Sequence, residues 1–127
     1  MPKIPINPVG SAAPLAPYSA GVRAGNAVYV SGVLPIAADG QTVGIGDVRT
    51  QTRHVLQRIE AVINAAGGTM ADVAMNSIFL KDLNDYQAMN EVYAEFFPGD
   101  PPARFCIRAD LVKSEFLVEI ASVAHLT

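Results

Sequence analysis

Apolar positions recur with a helical period in two parts of the chain, and these predict two amphipathic helices. The first begins after Asp47, a good N-cap, and ends at Gly67-Gly68. Its apolar stripe recurs at alternating spacings of four and three, at Val48, Thr52, Val55, Ile59, Val62 and Ala66. The second is capped by Asp82 and stops at Pro98-Gly99. Its inner stripe is predicted at Leu83, Tyr86, Met89 or Asn90, Tyr93, and Phe96 or Phe97.

The segments between and around the helices have the composition of strands. After a proline-rich arm over residues 1–17, a hairpin turning at Ala24-Gly25-Asn26 is predicted. The expected strands are residues 18–23, 27–32, 73–80, 103–108 and 116–124, with shorter ones at 4–6 and 41–43. This order predicts an α+β fold in one domain spanning residues 1–127. It is a two-layer sandwich with both helices on one face of a single mixed sheet.

The strand at 103–108 carries the most chemistry. It follows two prolines and alternates, so that Arg104, Cys106 and Arg108 share one side. The strand at 116–124 is apolar apart from Glu119 and Ser122, and a lone carboxylate in such a run is expensive to bury unpaired. We expect residues 103–108 to form an internal strand. If the two strands are neighbours, Arg104 and Glu119 share a cleft.

Each of these side chains has a structural and a functional interpretation. Arg104 offers a rigid fork that suits either a ligand carboxylate or a structural ion pair. Glu119 either pairs with Arg104 or Arg108, which spacing alone slightly favours, or holds or deprotonates a water. Cys106 is interpreted as a wall residue and not as a nucleophile, because neither histidine can be placed beside it as a base.

Composition narrows the class of protein. The net charge of −3 argues against a nucleic-acid partner, and one cysteine with two histidines argues against a disulfide framework or a metal centre. Because no membrane span or signal peptide is recognised, we expect a soluble cytoplasmic protein. Charged residues are only 17% of the chain, and the strand at 116–124 is apolar on both faces with no third helix to cover it. A closed homo-oligomer is therefore expected.

Several short motifs, in order along nearly the whole chain, resemble the Rid (YjgF-like) family of enamine/imine deaminases. They are Pro17-Tyr18-Ser19, Tyr29-Val30-Ser31-Gly32, Asn90-Glu91-Val92-Tyr93, Phe96-Phe97-Pro98, Pro102-Ala103-Arg104-Phe105-Cys106 and Val118-Glu119-Ile120. The segments 51–56, 66–79 and 93–100 are most similar to the branch of 3-aminoacrylate deaminases of uracil degradation.

This resemblance implies a chorismate-mutase-like fold and a homotrimer with its sites between subunits, without metal or cofactor. It implies that Arg104 binds the substrate carboxylate and that Glu119 directs water. It also implies pocket roles for Tyr18, Asn90, Cys106 and the backbone of Gly32. Val33-Leu34-Pro35 departs from the polar glutamine that many relatives carry after this glycine. A general 2-imino acid deaminase and a non-catalytic carboxylate-binding regulator are the alternatives.

Overall fold

The structure, a computed structural model, describes residues 2–127. Two short 3-10 turns, Met70–Asp72 and Leu83–Asp85, come directly before the fourth strand and the second helix. The elements in chain order are β1 (Ile4–Ile6), β2 (Gly21–Ala24), β3 (Ala27–Val33), α1 (Val48–Ala65), β4 (Val73–Leu80), α2 (Tyr86–Phe96), β5 (Ala103–Arg108) and β6 (Val118–His125).

The strands form one sheet in the order β1-β2-β3-β6-β4-β5. The pair β4–β5 is parallel and every other pair is antiparallel, so the predicted mixed sheet is confirmed. β5 lies at the edge, and the expectation that residues 103–108 form an internal strand is wrong. The internal place is taken by β6, which is buried at every second position and pairs with both β3 and β4.

Both helices pack on one face of this sheet, as predicted. The buried residues of β4 and β6 alternate with half-buried ones, and the buried set meets the helices. Residues without any exposed surface in this core include Val55, Leu56, Ile59, Ile63, Ile78, Leu80, Met89, Val118 and Ile120. The two-layer α+β sandwich follows from this arrangement.

The opposite face of the sheet has no helix over it. Tyr29 of β3 and Phe105 and Ile107 of β5 point to this open face and are 50%, 43% and 49% exposed. On β6 the side chains of Ala121 and Val123 lie on the same face and are half-buried. The open face therefore presents a largely apolar surface, which a monomer seldom leaves uncovered.

Helix α1 ends where its capping residues predicted. The Asp47 carboxylate accepts the N–H groups of Arg49 and Thr50 at 3.1 and 3.2 Å, which satisfies donors that a first turn leaves unpaired. At the other end Gly67 adopts a φ of +98°, a left-handed conformation that suits glycine.

Four predicted element limits are wrong. Strand β6, predicted at 116–124, runs from Val118 to His125. Strand β2 begins only at Gly21, because the preceding backbone turns back to the arm, where the Ala20 N–H donates to Asn7 Oδ1 at 2.9 Å. The predicted strand at 41–43 is a single bridge between Ile36 and Thr42. Asp82 caps the 3-10 turn that leads into α2, through a bond to the Asn84 N–H at 2.8 Å.

The predicted inner stripe of α2 is only partly correct. Met89 and Tyr93 are buried as expected, and Val92, which the prediction left out, is buried beside them. Leu83 and Tyr86 are exposed. Leu83 lies in the 3-10 turn before α2, where the helical period does not apply.

Candidate functional site

Arg104 of β5 points to the helix layer, where α2 holds its guanidinium. Nη2 donates to Asn90 Oδ1 at 2.7 Å and to the Tyr86 hydroxyl at 3.0 Å. The guanidinium carbon lies 4.7 Å from the centre of the Tyr93 ring. These three partners follow one another at spacings of four and three along α2, so they form one stripe. Tyr86, predicted as core, instead reaches Arg104.

No carboxylate of the described chain pairs with Arg104. The two ion pairs found among residues 2–127 join Arg49 to Glu91 and Arg53 to Glu95. The guanidinium of Arg104 is half-buried and its partners are neutral. Its positive charge is therefore not paired with a carboxylate of the described chain, and its remaining N–H donors can bind an anion from outside the chain.

Cys106 lies on the same side of β5, two residues along, and packs against the hydrophobic core. Burial raises the pKa of its thiol, and the charge of Arg104 lowers that pKa by less. The sulfur is therefore a neutral thiol at pH 7, which agrees with the interpretation of a wall residue.

Glu119 of β6 lies on the open face of the sheet, close to Gly32 of β3. A Cβ atom placed on Gly32 would lie 2.1 Å from Glu119 Oε2, so only glycine leaves room for this carboxylate. The two strands change register between Val30 and Val33, which turns Gly32 toward Glu119. Burial raises the pKa of Glu119.

Two possibilities that the sequence left open for Glu119 are not found within one chain. It forms no ion pair with Arg104 or Arg108 in the described part of the chain. It also shares no cleft with Arg104, because β4 separates β5 from β6. On β4, Asn76 is the neighbour of Arg104 and Phe79 that of Glu119, and residues three apart on a strand point to opposite faces.

Tyr18 and Gly32 line a cavity of about 90 Å³ between the proline-rich arm, β3 and α1. Val33 and Leu34 contribute apolar side chains to its wall. Arg58 of α1 also lines the cavity and donates to Ser11 Oγ at 3.1 Å. Sequence patterning did not single out Arg58, because its helical position has no feature that separates it from a solvated arginine.

The site residues predicted from the sequence thus fall into two groups. Arg104, Asn90 and Cys106 lie where β5 meets α2, whereas Glu119 and Gly32 lie on the open face, with Tyr18 near Gly32 in the cavity wall. Within residues 2–127 no three His, Cys, Asp or Glu side chains come together as a metal site. Neither helix in the same part of the chain is long and apolar enough to cross a membrane.

The mixed six-stranded sheet with two helices on one face is the chorismate-mutase-like α+β fold. The chain belongs to the family described as Endoribonuclease L-PSP, whose model matches residues 10–126. This family includes Rid and YjgF proteins, so the resemblance seen in the sequence is confirmed at the level of the family.

Three solved structures illustrate the similarity. The Rid family protein YyfA from Yersinia pestis, described as of unknown function, is 32% identical with a TM-score of 0.91, over 98% of this chain and 100% of that chain. The YjgF gene product from E. coli is 30% identical with a TM-score of 0.88, over 96% and 98%. E. coli TdcF with bound serine is 30% identical with a TM-score of 0.90, over 98% and 99%.

Proposed function

We propose that the protein is a deaminase that hydrolyses 3-aminoacrylate to malonic semialdehyde and ammonia. The observation that carries this proposal is Arg104, a half-buried guanidinium that neutral side chains of α2 hold in place and no carboxylate of the described chain neutralises. A small carboxylate fits such a fork with two parallel hydrogen bonds. Family membership supports the same reading, since Rid proteins belong to this family.

The proposed reaction needs one water and one proton carrier. A proton from the solvent adds to the carbon next to the carboxylate and turns the enamine into an iminium, and water then adds to the iminium carbon. Glu119 takes a proton from this water as it adds and gives that proton to the nitrogen. The nitrogen then leaves as ammonia while the carbonyl forms, and the hydroxyl proton returns to the solvent. The raised pKa of Glu119 suits this exchange, because the carboxyl accepts and releases a proton closer to neutral pH.

We further propose that the site forms between subunits of a homotrimer, the number three resting on the family resemblance. One subunit provides Glu119, Gly32 and Tyr18, and its neighbour provides Arg104, Asn90 and Cys106. Two observations support this division: the two groups lie on opposite faces of one sheet, and the open face is apolar and exposed. Light scattering over a dilution series tests it, and an active monomer at micromolar concentration contradicts it.

A paired substitution tests the role of Arg104. Arg104→Lys replaces the fork by a point charge, and Arg108→Lys makes the same change at an exposed arginine on the same side of β5. With freshly generated 3-aminoacrylate and semicarbazide trapping, we expect Arg104→Lys to lose about tenfold to a few hundredfold in kcat/KM. Arg108→Lys keeps the activity of the wild type. Equal activity of the two folded variants refutes the assignment.

A second candidate is a carboxylate-binding protein without turnover. The structure of E. coli TdcF, which holds serine, favours it, since that similar protein binds an intact amino acid. The same experiment separates the two candidates. A protein that only binds takes up a stable carboxylate but releases no ammonia from 3-aminoacrylate or from 2-iminopropanoate. Release of ammonia from 2-iminopropanoate alone would identify a 2-imino acid deaminase.

A further inference from the structure

A row of buried polar side chains lies beneath Arg104. Ser122 of β6, Asn76 of β4 and Arg104 of β5 are neighbours across three adjacent strands and point to the same face. Ser122 and Asn76 are 2% and 0% exposed. The Ser122 hydroxyl donates to Asn76 Oδ1, and Asn76 Nδ2 donates to the Tyr93 hydroxyl at 2.8 Å. The proposed reaction does not use the Ser122 hydroxyl, the Asn76 amide or the Tyr93 hydroxyl.

Polar groups at these positions need a reason, because burying an amide is costly and apolar side chains are the simpler choice. The next positions on the same face of β4 and β6, Ile78 and Ile120, are apolar and fully buried. The hydrogen bond from Asn76 fixes the hydroxyl end of Tyr93. The Tyr93 ring also packs on Phe97 with ring centres 4.7 Å apart. The ring is therefore held at a set angle, with a face toward the guanidinium of Arg104.

We infer that Asn76 is a positioning residue for Arg104, acting through the ring of Tyr93. A guanidinium over an aromatic face is attracted by the ring electrons, and the rigid ring restricts a side chain that otherwise samples many rotamers. Asn90 and Tyr86 then bind the edge of the guanidinium. The consequence for substrate rests on the proposed function, whereas the placement of Arg104 does not.

Asn76→Leu removes the bond to Tyr93 and keeps the branching and the number of heavy atoms of the side chain. We expect the side-chain Nε–H signal of Arg104 in an NMR spectrum to lose the shift that the Tyr93 ring induces. We also expect the affinity for propanoate, measured by calorimetry, to fall by about 3- to 30-fold, the range of a guanidinium–ring contact. In the trapping assay KM rises more than kcat falls, because the lost interaction is present in the bound substrate and in the transition state.

Two comparisons separate positioning from general destabilisation. Ile63→Val weakens the core on α1 without touching this row, and we expect it to lower the melting temperature while propanoate affinity stays that of the wild type. Tyr93→Phe keeps the ring but removes the hydroxyl that Asn76 binds, so it repeats the effect of Asn76→Leu. The double variant then binds propanoate no more weakly than either single variant. Tyr93→Phe also carries the test if Asn76→Leu does not fold.

An unchanged Arg104 signal in folded Asn76→Leu or Tyr93→Phe overturns the inference, and so do additive effects in the double variant. The proposed function fails separately. If the wild type releases no ammonia from 3-aminoacrylate, the NMR signal and propanoate binding still decide whether Asn76 positions Arg104. If the wild type does not bind propanoate, the NMR signal alone decides it.

Discussion

Gly32→Ala is the sharpest test of the carboxylate on the open face. The added methyl would lie 2.1 Å from Oε2 of Glu119 and 3.1 Å from its carboxyl carbon. The nearest other contact of this methyl is the γ carbon of the same side chain, at 3.5 Å. The three nearest heavy atoms thus all belong to Glu119, so the substitution acts first on this one side chain.

The size of the effect follows from these distances. The oxygen has to retreat by more than about 1 Å to reach ordinary contact, and a misplacement of that size costs about 100-fold in a reaction that depends on orientation. Stability changes little. The φ of Gly32 is not positive, so alanine fits the backbone and gains about 0.4–1 kcal/mol through the unfolded state. The displaced carboxylate is the end of a flexible side chain, and its movement offsets part of this gain.

The assay measures kcat/KM for 3-aminoacrylate together with a urea unfolding curve. Gly99→Ala is the matched control, because a Cβ at Gly99 meets no atom within 4 Å and its φ is not positive. We expect Gly32→Ala to lose about 10- to 100-fold in kcat/KM with a free energy of unfolding within about 1 kcal/mol of the wild type. Gly99→Ala keeps the kcat/KM and the free energy of unfolding of the wild type. Wild-type turnover by folded Gly32→Ala would show that the place of Glu119 is irrelevant to catalysis.

Three further outcomes test other parts of the structure. Because burial raises the folded pKa of Glu119 above its unfolded value, its stabilising contribution is present at low pH and is lost as the pH rises through the folded pKa. In thermal melts Glu119→Gln should therefore be more stable than the wild type at pH 7 and equally stable at about pH 4. A lower melting temperature of Glu119→Gln at pH 7 would point to an ion pair. Cys106→Ser should keep most of the turnover in the trapping assay, since the thiol is neutral; a covalent adduct at Cys106 in an intact-mass spectrum contradicts this. Asp47→Ala should cost about 1 kcal/mol in urea unfolding, because two backbone donors of α1 lose their acceptor, and an unchanged midpoint would show that the cap is dispensable.

Local features of the fold were predictable from the sequence because local chemistry determines them. The limits of α1 depend on Asp47 and Gly67, and the faces of β6 depend on the alternation of its side chains. The order of the strands is different, since pairing between distant segments determines it. No local signal showed that β6 would insert between β3 and β4, and the expectation of an internal β5 failed for this reason.

The candidate site was predictable in its parts but not in its assembly. The sequence placed Arg104 on one side of a strand, and Asn90 and Tyr93 on one stripe of a helix. The structure brings the three side chains together. The separation of Arg104 from Glu119 depends on which face each side chain takes once β4 lies between their strands. Such a relation requires the complete register of the sheet, which periodicity does not contain.

The central place of β6 has a consequence for how the chain folds during synthesis. Val28 of β3 pairs with Ala124 of β6, so a central ladder of the sheet joins segments from opposite ends of the described chain. Until β6 has left the ribosome, β3 and β4 both present unpaired apolar edges, which are prone to associate with other chains. A nascent chain that stalls before residue 118 would depend on chaperones, even though both helices and the first hairpin are already complete.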